Sequence, residues 1–154
     1  VRADAHTVFR QVERIGGDTG YYFANWIWRV RGVIDRIAGG PGFSRKRRDP
    51  DRLETGEEFE CWRVAQIERD QSLRLEAAMK MPGRGVLEYQ VEAAPGGSLL
   101  RQTAVFEPSG WFGSIYWYSL YLIHLVIWSG MLRQIARAAE SEAAQPSASV
   151  KAGL

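Results

Sequence analysis

The chain has 154 residues, 45% of them hydrophobic and 25% charged, with a formal charge of +2. That length fits one domain able to bury a sizeable core, and the near-balanced charge excludes the strongly basic or acidic balance from which a polyanion or polycation binder would be inferred. The single cysteine, Cys61, excludes an internal disulfide and is compatible with a reducing compartment.

Thr7–Ile15, TVFRQVERI, shows a mixed alternation that predicts a first strand at an edge or in a half-exposed position. Gly16-Gly17-Asp18-Thr19-Gly20 punctuates it, and Asp18 or Thr19 is placed to cap a following helix. From there Tyr22, Phe23, Trp26, Ile27, Val30, Ile34 and Ile37 recur at three- and four-residue steps, which makes one helical face. Gly32 weakens that helix by about 1 kcal/mol relative to Ala, which predicts a bend or two short helices. Gly39-Gly40-Pro41-Gly42 ends it, and lacks the Lys-Ser/Thr ending and the dinucleotide spacing of phosphate-binding loops. Arg45, Lys46, Arg47 and Arg48 then form a basic run of the kind that meets phosphates or anionic lipid headgroups. Asp49, Asp51 and Glu54 offset it, so a solvated loop is the preferred reading. No aromatic residue interleaves the run as in single-strand binders, and no nucleic-acid partner is expected.

From Glu57 to Pro108 the period changes to two. Phe59 and Cys61 fall on one parity and Trp62 and Val64 on the other, which a bulge near Cys61 would reconcile. Arg69-Asp70-Gln71 turns the chain into Leu73, Leu75, Ala77 and Met79 on one face. Pro82-Gly83 leads to Leu87, Tyr89 and Val91, and Pro95-Gly96-Gly97 leads to Leu100, Gln102, Ala104 and Phe106. Short strands joined by tight turns are antiparallel neighbours with one wet face.

Trp111–Ala139 is a helix, uncharged from Trp111 to Leu132 unless His124 is protonated. At roughly 45 Å it is longer than a sheet of five or six strands spaced about 4.8 Å apart is wide, so part of it must project beyond its cover. The uncharged run is long enough for a membrane span, which requires roughly 20 residues. Tyr116, Trp117, Tyr118 and Tyr121 nevertheless crowd its first half instead of forming belts at both ends, and His124 sits near its middle. Contact with a membrane surface is therefore compatible with the sequence, and a span is not expected. The Ser/Ala/Pro-rich stretch 141–154 reads as a disordered tail to a single domain over 1–140.

This order of elements resembles the helix-grip fold of the START, polyketide-cyclase and Bet v 1-like (SRPBCC) superfamily. The motifs GGDTGYYFANWIWRVRGVIDRIAGG, RRDP, FECWRV, MPGRGVLEY, QTAVFEP and YWYSLYLIHLVIWSGM are similar, more narrowly, to a bacterial domain of unknown function. That domain is found alone or carboxyl-terminal to an NAD(P)-binding, short-chain-dehydrogenase-like domain. The resemblance implies an α+β fold: a curved antiparallel sheet wrapped around a long C-terminal helix, with two short helices after the first strand. It also implies an apolar cavity between sheet and helix, a site type suited to a small hydrophobic molecule.

The expected walls are Trp26, Ile27 and Ile34, then Trp62, Leu75, Met79, Leu87 and Tyr89, then Trp117, Tyr121, His124 and Trp128, each with ordinary core packing as the competing account. Gln102 and His124 are polar among apolar neighbours and need a partner, whether ligand, water or Tyr89. Catalytic sets are thin. Cys61 with His124 would make a nucleophile and base, against the usual role of a lone strand cysteine as a small buried hydrophobe. His124 with Tyr89 or Tyr118 would serve an acid–base cyclase or isomerase. Glu58, Glu60, Glu76 and Glu88 fall mainly on the wet face, and neither histidine shows metal-ligand spacing. The leading expectation is a carrier or sensor of an apolar molecule, needing no cofactor, cytoplasmic or peripheral to a membrane. A dehydrogenase-like domain or a second copy are the protein partners that the projecting helix would admit.

Overall fold

The computed structural model describes residues 1–17, 19–23, 25–39 and 47–145, excepting the side chains of Trp28 and Arg31. Its first element is a helix, α1 (Ala5–Glu13), where the sequence suggests a strand. Val8, Phe9, Val12 and Ile15 stand at helical spacing and are all buried. Asp4 caps α1, its carboxylate accepting from Thr7 N at 2.8 Å and from Thr7 Oγ1 at 2.9 Å. The two bonds hold the Asp4 carboxyl below its ordinary pKa. Asp4→Ala should cost about 1 kcal/mol at neutral pH. Because the folded pKa is depressed, the cap's contribution is present above the unfolded pKa of about 3.9 and is lost as pH falls through the folded value. Urea unfolding of both proteins at neutral and acid pH should show the difference shrinking on acidification.

A turn follows in which Gly16 and Gly20 pair and Tyr22 takes a positive φ of 60°. This turn delays the next helix, α2 (Asn25–Ile37). It runs unbroken through Gly32, so the expected bend or pair of short helices gives way to one helix. Asp18 and residues 40–46, with the glycine-rich loop, Arg45 and Lys46, lie outside the described residues. Arg47 donates to the carbonyls of Ile15, Pro50 and Arg52, and Arg48 pairs with Glu54 at 2.8 Å. These two arginines thus hold their own loop together.

Five strands follow: β1 (Glu58–Phe59), β2 (Trp62–Glu68), β3 (Ser72–Ala77), β4 (Gly83–Ala94) and β5 (Gly97–Pro108). They form one antiparallel sheet in sequential order. Cys61 is not at a bulge. Glu60 and Cys61 form the turn between the paired Phe59 and Trp62, and Glu60 has a φ of 53°; the register shift lies between Val64 and Gln66. The turn reverses the chain, and with it the parity of the apolar residues. The turns at Arg69–Gln71 and Pro95-Gly96 are where the sequence puts them, with Asp70 and Gly96 at positive φ. Leu73 and Leu75, Leu87, Tyr89 and Val91, and Leu100 point into the core.

The last helix, α3 (Gly110–Ala144), packs mainly on β5 and α1. Ile127, Met131, Ile135 and Ala139 recur at four-residue steps and are buried. The helix passes residue 140, where the sequence places a tail, and Glu142 accepts from Gln11 and pairs with Arg10 of α1; residues 146–154 lie outside the described residues. Nearer the start of α3, Gly113 lies so close to Pro82 and Pro108 that a Cβ would fall 2.3 Å from the Pro82 carbonyl oxygen. Its first half is otherwise largely uncovered: Trp111 is 77%, Tyr118 75% and Leu122 73% exposed. By length and composition alone α3 could cross a membrane, with only 17% of its most apolar window buried.

Candidate functional site

Where α3 projects, it does not close down on the sheet. An apolar groove of about 220 Å³ remains between the first half of α3, the ends of β3, β4 and β5, and one side of α2. Small residues open it. Ala77, Gly85 and Ala104 line it, and a Cβ on Gly85 would already approach Ala77 Cβ at 3.3 Å and Met81 Sδ at 3.4 Å. Ile27, Val30 and Ile34 of α2 form one wall, with Met79 and Met81 from the β3–β4 connection beside them. α2 is tied to that connection by Asp35, which accepts from Lys80 N at 2.8 Å.

The opposite wall is an aromatic series. Phe106 stacks on Trp117 at 4.9 Å, Trp117 on His124 at 5.0 Å and His124 on Trp128 at 5.9 Å. The seven- and four-residue steps from Trp117 to His124 to Trp128 keep all three on one stripe of the helix. His124 is half-buried in the groove, and among the described residues Nδ1 has no hydrogen-bond partner. Burial lowers its pKa, which favours the neutral ring, able to accept through one nitrogen and donate through the other.

Deeper in the same face, Tyr89 and Gln102 are cross-strand neighbours. The Tyr89 hydroxyl and both polar atoms of the Gln102 amide also lack partners among the described residues. Gln102 is two residues from Ala104, hence on the groove side of β5. Leaving such a group unsatisfied costs about 1–3 kcal/mol. Burial also raises the Tyr89 pKa, so that hydroxyl stays protonated.

Of the expected wall residues, Trp62, Met79, Trp117, His124 and Trp128 line the groove, as do Ile27 and Ile34. Leu75, Leu87 and Tyr89 are fully buried core residues that do not line it. Trp26, 68% exposed, and Tyr121, 48% exposed, stand outside it. Sequence reasoning missed Phe106, Tyr116, Leu120 and Ile123 as walls, and the small residues that open the floor.

The catalytic pairings are not assembled. Cys61 lies in a turn with Tyr21 Oη 3.5 Å from its sulfur, whereas His124 is held between two indoles. Tyr118 is exposed and Tyr89 is in the core, so neither joins His124 in the groove. Glu60, expected on the wet face, is buried and accepts from Gly17 N. Among the described residues no group of three or more His, Cys, Asp or Glu is placed to hold a metal ion. A second, charged cleft near α1 contains the ion pairs His6–Asp70, Arg14–Asp51 and Arg69–Glu13.

No curated protein and no solved structure matches the chain. A family model does, over residues 1–131, with the description "Protein of unknown function (DUF2867)". The match covers most of the chain's length, and the chain belongs to this family.

Proposed function

We propose that the groove binds a small, mainly apolar molecule carrying one hydrogen-bonding group, and that the architecture is a helix-grip variant of the START-like type. The observation that carries this reading is the unpartnered Nδ1 of His124 within an otherwise apolar, aromatic-walled groove. A ligand group meeting His124, with Gln102 deeper on the same face, would relieve polar atoms that otherwise cost stability. The groove volume, about 220 Å³, suits a compact aromatic or short aliphatic body. Holding such a molecule asks for no second catalytic group, so a carrier or sensor is favoured over a cyclase or isomerase.

Native mass spectrometry of the freshly purified chain should show a non-covalent small-molecule adduct, lost in Ala104→Trp. Affinity for an apolar amine probe such as phenylnaphthylamine should be flat above about pH 6.5 and fall as His124 takes up a proton. Because the folded pKa of His124 is lowered, its neutral state favours the fold above the unfolded pKa, and that contribution is lost as pH falls through the folded value. His124→Leu should remove the pH dependence of binding. A folded wild-type chain with no adduct and no affinity for a panel of apolar probes would overturn the reading.

A further inference from the structure

The outward side of α2 is apolar with a cationic border. Trp26 is 68%, Val33 61% and Ile37 82% exposed, and Arg29 and Arg36 share a surface depression with Val33 and Ile37. The one acidic residue of this helix, Asp35, is buried and faces Lys80 N. The exposed first half of α3 is similarly free of acid, since Glu140 is the first carboxylate after Gly110. Val30 and Ile34 of α2 and Ile123 of α3 line the groove while remaining about half exposed, so the two helices flank a single mouth.

We propose that this two-helix surface docks in the plane of an anionic lipid bilayer. The exposed apolar side chains would enter the boundary between headgroups and acyl chains, and Arg29 and Arg36 would meet the lipid phosphates. A lipid surface fits better than a second copy. Another copy would present the same apolar, cationic face with no carboxylate on the outward side of α2 or the first half of α3 to receive the arginines, whereas anionic headgroups carry the complementary charge. A transmembrane arrangement fits worse. Gly113 against Pro82 and Trp117 against Phe106 fix α3 to strands that include the cross-strand neighbours Arg84 and Glu107. A crossing helix would draw those charges into hydrocarbon, and a helix lying flat leaves them in water. The docking surface stands apart from the question of what occupies the groove.

The test is co-sedimentation of the full chain with phosphatidylcholine vesicles, with and without phosphatidylglycerol. Binding is expected only with phosphatidylglycerol, and raised salt should release it. Arg29→Gln with Arg36→Gln should weaken it about 30-fold, roughly five-fold per arginine. Trp26→Ser with Ile37→Ser should abolish it although both arginines remain. All four side chains are exposed, and unchanged melting curves would show that the variants are folded. Equal binding to uncharged vesicles, retention in vesicles at high salt, or no binding by the wild-type chain would each overturn the proposal. Absence of vesicle binding together with a dimer dissolved by Ile37→Ser would assign the face to a second copy instead.

Discussion

Met131→Ala should destabilise the protein by about 2–5 kcal/mol, while Leu122→Ala in the same helix should change stability by no more than about 0.5 kcal/mol. Both are long apolar side chains on α3, and hydropathy alone would give them similar weight. Met131 is fully buried among the core residues, so its truncation loses transfer free energy and leaves a cavity. Leu122 is 73% exposed, and most of its surface is in water before and after truncation. Urea unfolding of the two variants checks the contrast. Similar losses in both would mean that the first half of α3 is covered in solution, contrary to the architecture described.

Ala104→Trp should lower the affinity of the groove for phenylnaphthylamine at least tenfold, which corresponds to about 1.4 kcal/mol. Ala104 lies on β5 opposite Leu87 and lines the floor. An indole projecting there would occupy much of the roughly 220 Å³ available. The groove opens to solvent between α2 and α3, which gives the larger side chain room without forcing the core apart, so the melting temperature should move little. Leu125→Trp is the matched control. It adds an indole to a 55% exposed position of α3 outside the groove, and should leave affinity unchanged. A fluorescence titration of the three proteins separates filling of this groove from a general effect of added aromatic surface. Equal affinity in all three would place the probe elsewhere.

The sheet was legible because its signals are local. Alternation fixes which of Leu73, Arg74 and Leu75 or of Leu87, Glu88 and Tyr89 face inward, and Asp70 and Gly96 mark turns where the backbone needs a positive φ. The strand expected over Thr7–Ile15 is a helix because Asp4 caps it and Val8, Phe9 and Val12 share one buried stripe; the three- and four-residue spacing was present but competed with a partial alternation. The turn at Glu60-Cys61 was hidden because neither residue is a usual turn former.

The site divides for a different reason. Periodicity gives the face of an element but not its depth, so Leu75, Leu87 and Tyr89 share the inward face with true groove residues while sitting in the core on strands that α1 covers. Nor does it give the angle at which one helix meets another. Trp26 and Tyr121 therefore turn outward although neighbouring residues Ile27 and Leu120 line the groove. The groove also depends on what Ala77, Gly85 and Ala104 lack, and a missing side chain leaves little mark on a single sequence. His124 was recoverable because a polar ring in an uncharged helical run requires an explanation wherever that helix packs.

The three methionines give the most direct measurement, since Met79 and Met81 line the groove and Met131 is in the core. In methyl-labelled protein titrated with phenylnaphthylamine and followed by NMR, the Met79 and Met81 methyl signals should shift together and saturably while Met131 stays in place. Unmoved Met79 and Met81 signals at saturating probe, or a shift confined to Met131, would contradict an open apolar binding groove beneath the projecting half of α3.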